Sequence, residues 1–328
     1  MNCESAMVSI IMPVYNARAF IAESIESVLG QSYGHWELII VDDCSRDDTV
    51  RIARRYEDVD SRVRVVTLTQ NSGRPAVARN HGLRLASGQY AAFLDADDLW
   101  NPGKLKRQVE FFQDKPGKAL VFGKFRVMCN DPRFDGKEIG PSKGINWEKS
   151  VYERLLKYDF IVNSSVMIDL TNIAQEEHFF DEDPKLAFVE DWDLWLRIAR
   201  NGLFGYIPET SGIYRMHGAN FSLGPARLDR AMAVVDKHVA KGFVDHVAAD
   251  RARANILFTV AWSIVDQDAS KAGKLFGKAM RLAKVFSKIY LMNALGRFLA
   301  LFPGVCVWMK QNSIDRKVGK LFFNHQDL

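Results

Sequence analysis

Cysteine is scarce in this sequence: four in 328 residues, at Cys3, Cys44, Cys129 and Cys306. Such wide spacing fits neither a zinc site nor a disulfide scaffold, so reduced thiols in a cytoplasmic setting are expected. Two glycine signatures for phosphate are also missing. No G-x-G-x-x-G follows the first apolar run and no G-x-x-x-x-G-K-[ST] occurs anywhere. Dinucleotide binding through the glycine fingerprint and P-loop phosphoryl transfer therefore lose support. Met1–Met7 has neither a positive n-region nor an apolar core, which argues against a cleaved signal peptide. There is no internal repeat. Acids are absent between residues 269 and 314, and that gap exposes an asymmetry within the net charge of +4. Residues 225–328 hold 17 Lys and Arg against 8 Asp and no Glu, a net +9, which leaves −5 on residues 1–224. An acidic body joined to a basic tail points to two jobs.

What is present is an ordinary packed composition, 48% hydrophobic and 26% charged. This excludes wholesale disorder, collagen repeats and coiled coil. The length suits one large domain with an appendage, or two modest ones. Val8–Met12, Leu38–Val41, Val63–Leu68 and Tyr90–Leu94 read as short buried strands. Ala19–Leu29, Asp47–Tyr56 and Pro75–Ala86 between them have helical spacing, with Ser45 and Asp48 as a capping pair for the second helix. Such alternation predicts an α/β fold with a mostly parallel sheet covered on both faces. Further on, Pro102–Asp114 reads as helix, Ala119–Val127 and Ser164–Ile168 as strands, and Asp191–Arg200 as helix. Residues 129–150 read as a long mobile loop of the kind that forms lids, and Gly202–Tyr214 as a turn with a short extended run. Helical pattern dominates from Pro225.

Ligands in parallel sheets bind beyond the carboxyl ends of the strands, so Pro13–Asn16, Asp42–Ser45 and Asp95–Asp98 are the segments to inspect. Asp95, Asp97 and Asp98 repel one another beside an apolar strand unless a cation lies among them. Oxygen ligands favour Mg²⁺ or Mn²⁺, with substrate phosphates completing the shell. The plainer alternative is that Asp97 or Asp98 caps the next helix. Asp42 and Asp43 follow another strand, where a carboxylate can bond a base or ribose, or simply cap a helix. Glu190, Asp191 and Asp193 open a helix with core-spaced Trp and Leu. They either answer the helix dipole or supply a carboxylate that takes a proton from an attacking hydroxyl. His217, in Tyr214–Gly218 after an extended run, is a structural histidine or a group near metal and phosphate.

Together these segments resemble the family 2 glycosyltransferases of the GT-A fold. The matching stretches are Val8–Asn16, Ser24–Ser32, Trp36–Ser45, Asp47–Thr49, Asn80–Gly82, Ala86–Tyr90, Phe93–Asp98, Pro102–Leu105 and Glu190–Arg197. The resemblance implies a GT-A catalytic domain over residues 1–224 and a separate helical region over 225–328. It implies Pro13 and Tyr15 lining a nucleotide base pocket, Asp43 and Asp42 bonding uracil or ribose, and Arg74 reaching the nucleotide. Asp95 and Asp97 would be the D-x-D, with Asp97 the better ligand for Mn²⁺ or Mg²⁺, Asp95 nearer the ribose and Asp98 assisting. Asp191 would be the base of an inverting transfer from a UDP-sugar to a growing cell-surface glycan or glycolipid, and His217 would sit near the metal or diphosphate. Nucleic acid is not an expected partner. A non-catalytic nucleotide-sugar-binding protein and a nucleotidyltransferase are the alternatives.

The tail has its own pattern. Lys271, Lys274, Lys278, Arg281, Lys284 and Lys288 recur every three or four residues, and Leu275, Phe276, Ala279, Met280, Ala283 and Phe286 fall on another face. A helix of this kind suits an anionic membrane surface, with the protein peripheral at the inner face of the cell membrane; ordinary packing against the catalytic body or a second subunit is the alternative. Ile289–Met309 is apolar but broken by Arg297 and Pro303–Gly304, which favours an interfacial hairpin over a span.

Overall fold

The computed structural model describes residues 6–132, 134–141, 151–173, 179–201, 204–217, 226–265, 267–283 and 294–295. The chain divides into two compact units. One comprises residues 1–141, 145–151 and 160–220, and the other residues 142–144, 152–159 and 221–328.

The first unit is built on a sheet whose central strands are apolar on both faces. β1 (Val8–Val14) pairs in parallel with β2 (Trp36–Asp42) and β4 (Tyr90–Phe93), and β2 with β3 (Val63–Thr67). Each link is a helix: α1 (Ile21–Leu29), α2 (Thr49–Glu57) and α3 (Pro75–Leu85). Ile10, Met12, Leu38 and Ile40 are fully buried on the face covered by α1 and α2, each worth roughly 1.5–3 kcal/mol. Gly82 lets α3 lie flush on the sheet, since a Cβ there would come within 2.7 Å of Ile11 and 3.4 Å of Val41. Beyond β4 come antiparallel β8 (Met167–Asp169), then β6 (Leu120–Met128), β9 (Phe204–Arg215) parallel to β6, and β5 (Leu99–Trp100). α4 (Lys104–Asp114) precedes β6 and α6 (Glu190–Ala199) precedes β9. These pairings run β1, β2, β4 and β9 in one direction, so their carboxyl ends share an edge.

Several local expectations are corrected. Ser45 and Asp48 do not cap α2: the Ser45 hydroxyl accepts from the Asn16 N–H, and Asp48 makes no side-chain cap bond. Gly202–Tyr214 is no short run, because β9 extends to Arg215; register shifts at Gly123–Phe125 carry its pairing past Pro208. Within residues 129–150, β7 (Glu138–Ile139) folds back on β6 through a turn, so this part is hairpin. Residues 142–150 of the expected lid lie outside the described residues.

The second unit is helical. It contains most of α5 (Val151–Lys157), with α7 (Ala226–Ala240), α8 (His246–Ile264) and α9 (Ala269–Leu282). Asp245 caps α8 by accepting from Ala248 N–H at 2.7 Å, and Asp268 caps α9 from Lys271 N–H at 2.8 Å. Leu275, Phe276 and Ala279 of α9 are buried with Ala254, Leu257, Phe258 and Ala261 of α8, the rings of Phe258 and Phe276 lying 5.6 Å apart. These residues of the stripe pack on α8, the protein-packing alternative for this face, since amphipathicity signals a buried face without naming its cover; Phe286 lies outside the described residues. Lys271, Lys274, Lys278 and Arg281 remain exposed. Lys284, Lys288 and nearly all of Ile289–Met309 lie outside the described residues. Among the described residues no helix is long and apolar enough to cross a membrane.

Candidate active site

The shared strand edge gathers the acids. At the end of β2, Asp42 is buried and its carboxylate takes the Ser45 N–H at 3.1 and 3.2 Å. Asp42 thus braces the turn that follows β2. Asp43 accepts from Ser72 N–H at 2.7 Å, Ser72 hydroxyl at 3.0 Å and Gly73 N–H at 3.1 Å. Those bonds fasten the loop before α3 to β2. From that loop Arg74 reaches the carbonyls of Ser72 and Glu182. It lines a cavity of about 470 Å³ with Gln70, Asn71, His81 and Glu182. Pro13 is half-buried, while Tyr15 is 47% exposed at the end of β1.

The acidic turn after β4 is held from several sides. Ser24 of α1 sets its hydroxyl between the carbonyls of Ala96 at 2.7 Å and Asp98 at 2.8 Å. Asp98 is fully buried, accepting from Ser164 hydroxyl at 2.5 Å and Arg215 N–H at 3.1 Å. Burial, then repulsion from Asp97 and Asp95, drives its pKa well up. Those bonds tie Asp98 to Ser164 and to the end of β9. Oδ1 of Asp95 takes both Asn163 at 2.9 Å and Arg79 at 2.7 Å. Two protein donors thus share that one oxygen. Asp97 faces the Nε2 of His217 at 3.0 Å, and the imidazole stacks on Phe20 at 4.7 Å between centroids.

Among the described residues no group of three or more His, Cys, Asp and Glu is arranged for a metal. The donor set is a carboxylate and an imidazole. Burial, then the charge of Asp95, pushes Asp97's pKa up, with the bond to His217 opposing. Asp97 and His217 suit a divalent ion such as Mn²⁺ that fills its other positions with phosphate oxygens and water. The residues fit the group.

Asp191 stands in the first turn of α6. Its Oδ1 accepts the N–H of Trp192 at 2.8 Å, and no side-chain cap bond is made at Val189. Trp192, Leu194, Trp195 and Leu196 anchor the helix, Trp195 lying 5.8 Å from Phe93 of β4 and 6.0 Å from Phe180 between centroids. Glu190 is buried, and its Oε1 receives Arg79 at 2.6 Å. Burial pushes the Glu190 pKa up to about 7, with Arg79 opposing and Asp191 adding to the rise. Arg79 therefore joins the D-x-D turn to the start of α6. Sequence reasoning passed over Arg79, Asn163 and Ser164. One signal was available for Arg79: it shares the buried stripe Ala76, Asn80 and Leu83 of α3, where a cation needs acidic partners.

Comparison with known proteins identifies the family. The model for Glycosyl transferase family 2 matches residues 9–169. TuaG of Bacillus subtilis, a glycosyltransferase named for teichuronic acid biosynthesis, is 40% identical over 200 residues, covering 61% of this chain and 75% of its own. The chain belongs to glycosyltransferase family 2. A second relative of this glycosyltransferase is WfgD of Escherichia coli, a UDP-Glc:α-D-GlcNAc-diphosphoundecaprenol β-1,3-glucosyltransferase. It is 36% identical over 195 residues, covering 60% of this chain and 70% of WfgD. Among solved structures, S. aureus TarS 1–349 with UDP-GlcNAc has a TM-score of 0.64 at 18% identity, over 93% of this chain and 92% of that one. Mannosyltransferase PcManGT of Pyrobaculum calidifontis, with GDP-Man and Mn²⁺, has a TM-score of 0.58 at 20% identity, over 97% of this chain and 88% of that one. The first unit has the GT-A fold.

Proposed function

We propose that this glycosyltransferase moves a sugar from a UDP-sugar to a hydroxyl of a growing cell-surface glycan or glycolipid, inverting the anomeric centre in one displacement. The observation that carries the reading is the Arg79 bridge. One buried guanidinium binds the first acid of D-x-D and the first of Glu190-Asp191, so donor-binding and proton-accepting motifs meet at one strand edge. WfgD's UDP-glucose donor and lipid-diphosphate acceptor support the substrate class.

In this mechanism Pro13 and Tyr15 flank the base, Asp43 and Arg74 address the nucleoside from their loop, and Asp95 lies toward the ribose. Asp97 and His217 would hold Mn²⁺ or Mg²⁺. A cation held there would offset the charge that develops on the departing diphosphate. Asp191 takes the proton of the acceptor hydroxyl as that oxygen attacks opposite the diphosphate. Glu190 gives its Oε1 to Arg79, and Asp191 beside it takes the base role. An α-linked donor gives a β-linked product.

The reading is tested by thermal stabilisation with a panel of nucleotide sugars and Mn²⁺, followed by UDP release with and without lipid-linked α-GlcNAc diphosphate. At a hundred times its dissociation constant a ligand stabilises by about 2.7 kcal/mol. Stabilisation by a UDP-sugar and acceptor-dependent UDP release are expected. Binding without turnover on any acceptor would return the protein to the class of non-catalytic binders.

The exposed cations of α9 support attachment to an anionic membrane at its inner face, by charge alone because the apolar face is buried. Lysines near an anionic surface contribute about 1 kcal/mol each. Lys271→Glu/Lys274→Glu/Lys278→Glu should therefore weaken flotation with phosphatidylglycerol vesicles by about 100-fold, and added salt should weaken wild-type binding. Unchanged, salt-insensitive flotation of the triple variant would exclude this face.

A further inference from the structure

Arg79 is 5% exposed, although nothing about arginine favours an interior. Nη1 donates to Glu190 at 2.6 Å and Nη2 to Asp95 at 2.7 Å, while the guanidinium lies over the Phe180 ring at 5.3 Å. Its neighbour Asn80 clamps Phe180 in turn, donating to its carbonyl and accepting its N–H, both at 2.8 Å. Two buried atoms of the bridge, Nε of Arg79 and Oε2 of Glu190, have no hydrogen-bond partner. Burial opposes a charge here, yet Asp95, Glu190 and Asp191 outweigh it and raise the guanidinium's pKa. A site optimised for stability alone would satisfy those atoms or dispense with the ions.

We propose that Arg79 is a positioning residue for sugar transfer. It is too enclosed to contact donor or acceptor. Its two nitrogens tie the turn carrying Asp95 and Asp97 to the first turn of α6, and so set where Asp191 stands relative to the donor. The planar fork matters because each carboxylate is taken by a different nitrogen. A lysine ammonium keeps the charge as a point and cannot hold both acids in this geometry. The proposal rests on the reading of Asp191 as the base.

The test uses the full chain, with UDP release from UDP-glucose or UDP-GlcNAc and a lipid-linked α-GlcNAc diphosphate as acceptor. Arg79→Lys is expected to lower kcat about 100-fold, the penalty of displacing a reacting group by ~1 Å. Donor KM should stay within about threefold of wild type, and stabilisation by UDP with Mn²⁺ should persist, because the donor side is left in place. Arg79→Met/Glu190→Leu removes the link without stranding a buried charge. It should recover the Tm while kcat stays low. A merely structural arginine gives the opposite result, with kcat returning alongside Tm, and that outcome overturns the proposal, as does an Arg79→Lys enzyme with wild-type kcat. Asp191→Asn run in parallel separates the two ideas. If it transfers normally, the base assignment falls and takes the proposal with it. An inactive Asp191→Asn beside an unimpaired Arg79→Lys sinks the proposal alone.

Discussion

Asp191→Asn should abolish transfer and spare binding. Amide for carboxylate keeps the shape and the bond to the Trp192 N–H, so α6 should start as before. What is lost is the ability to accept a proton from the acceptor hydroxyl, which typically contributes 10²–10⁴ in rate. Acceptor-dependent UDP release should fall by about 10³-fold. Stabilisation by UDP with Mn²⁺ should remain within about 1 °C of wild type. The contrast with Arg79→Lys is informative, since that variant keeps the base and disturbs only where it stands. Normal transfer by Asp191→Asn would move the base role elsewhere.

Asp97→Ala should give the complementary result. If Asp97 and His217 hold the cation, removing the carboxylate leaves an imidazole alone, too little to compete with water for Mn²⁺. The Mn²⁺-dependent part of the UDP stabilisation should vanish. For a unit of this size about 2.7 kcal/mol corresponds to roughly 5–10 °C in Tm, so the loss is easily measured. The ligand-free protein should lose little, because burial and Asp95 already disfavour a charge at this position. A variant with the full Mn²⁺-dependent shift would place the cation on other residues.

How far the sequence could be read depends on whether a residue's partners are local. Strands such as Ile10–Met12 and Leu38–Val41 were legible because a strand covered on both faces must be continuously apolar. Acids placed directly after such runs had few other uses, which brought out Asp43, Asp95 and Asp97. Asp42 and Asp98 carried the same signal, but their bonds to Ser45, Ser164 and Arg215 were not legible, because proximity to a strand end does not fix the direction of a side chain. Arg79 was out of reach for a different reason: its partners lie 16 and 111 residues away. The α9 helix was legible as amphipathic but not as to its cover, since burial against α8 and burial in lipid demand the same stripe.

The grip on the acidic turn bears on how donor preference can change. Ser24 supports Ala96 and Asp98 from α1, Asn163 and Ser164 hold Asp95 and Asp98, and Arg215 N–H closes the last acceptor. A segment so enclosed has no slack to shift for a bulkier or epimeric hexose, and substitutions within it break the whole anchorage. Laboratory evolution toward a new nucleotide sugar should therefore accumulate its changes in surrounding loops and leave Asp95–Asp98 untouched.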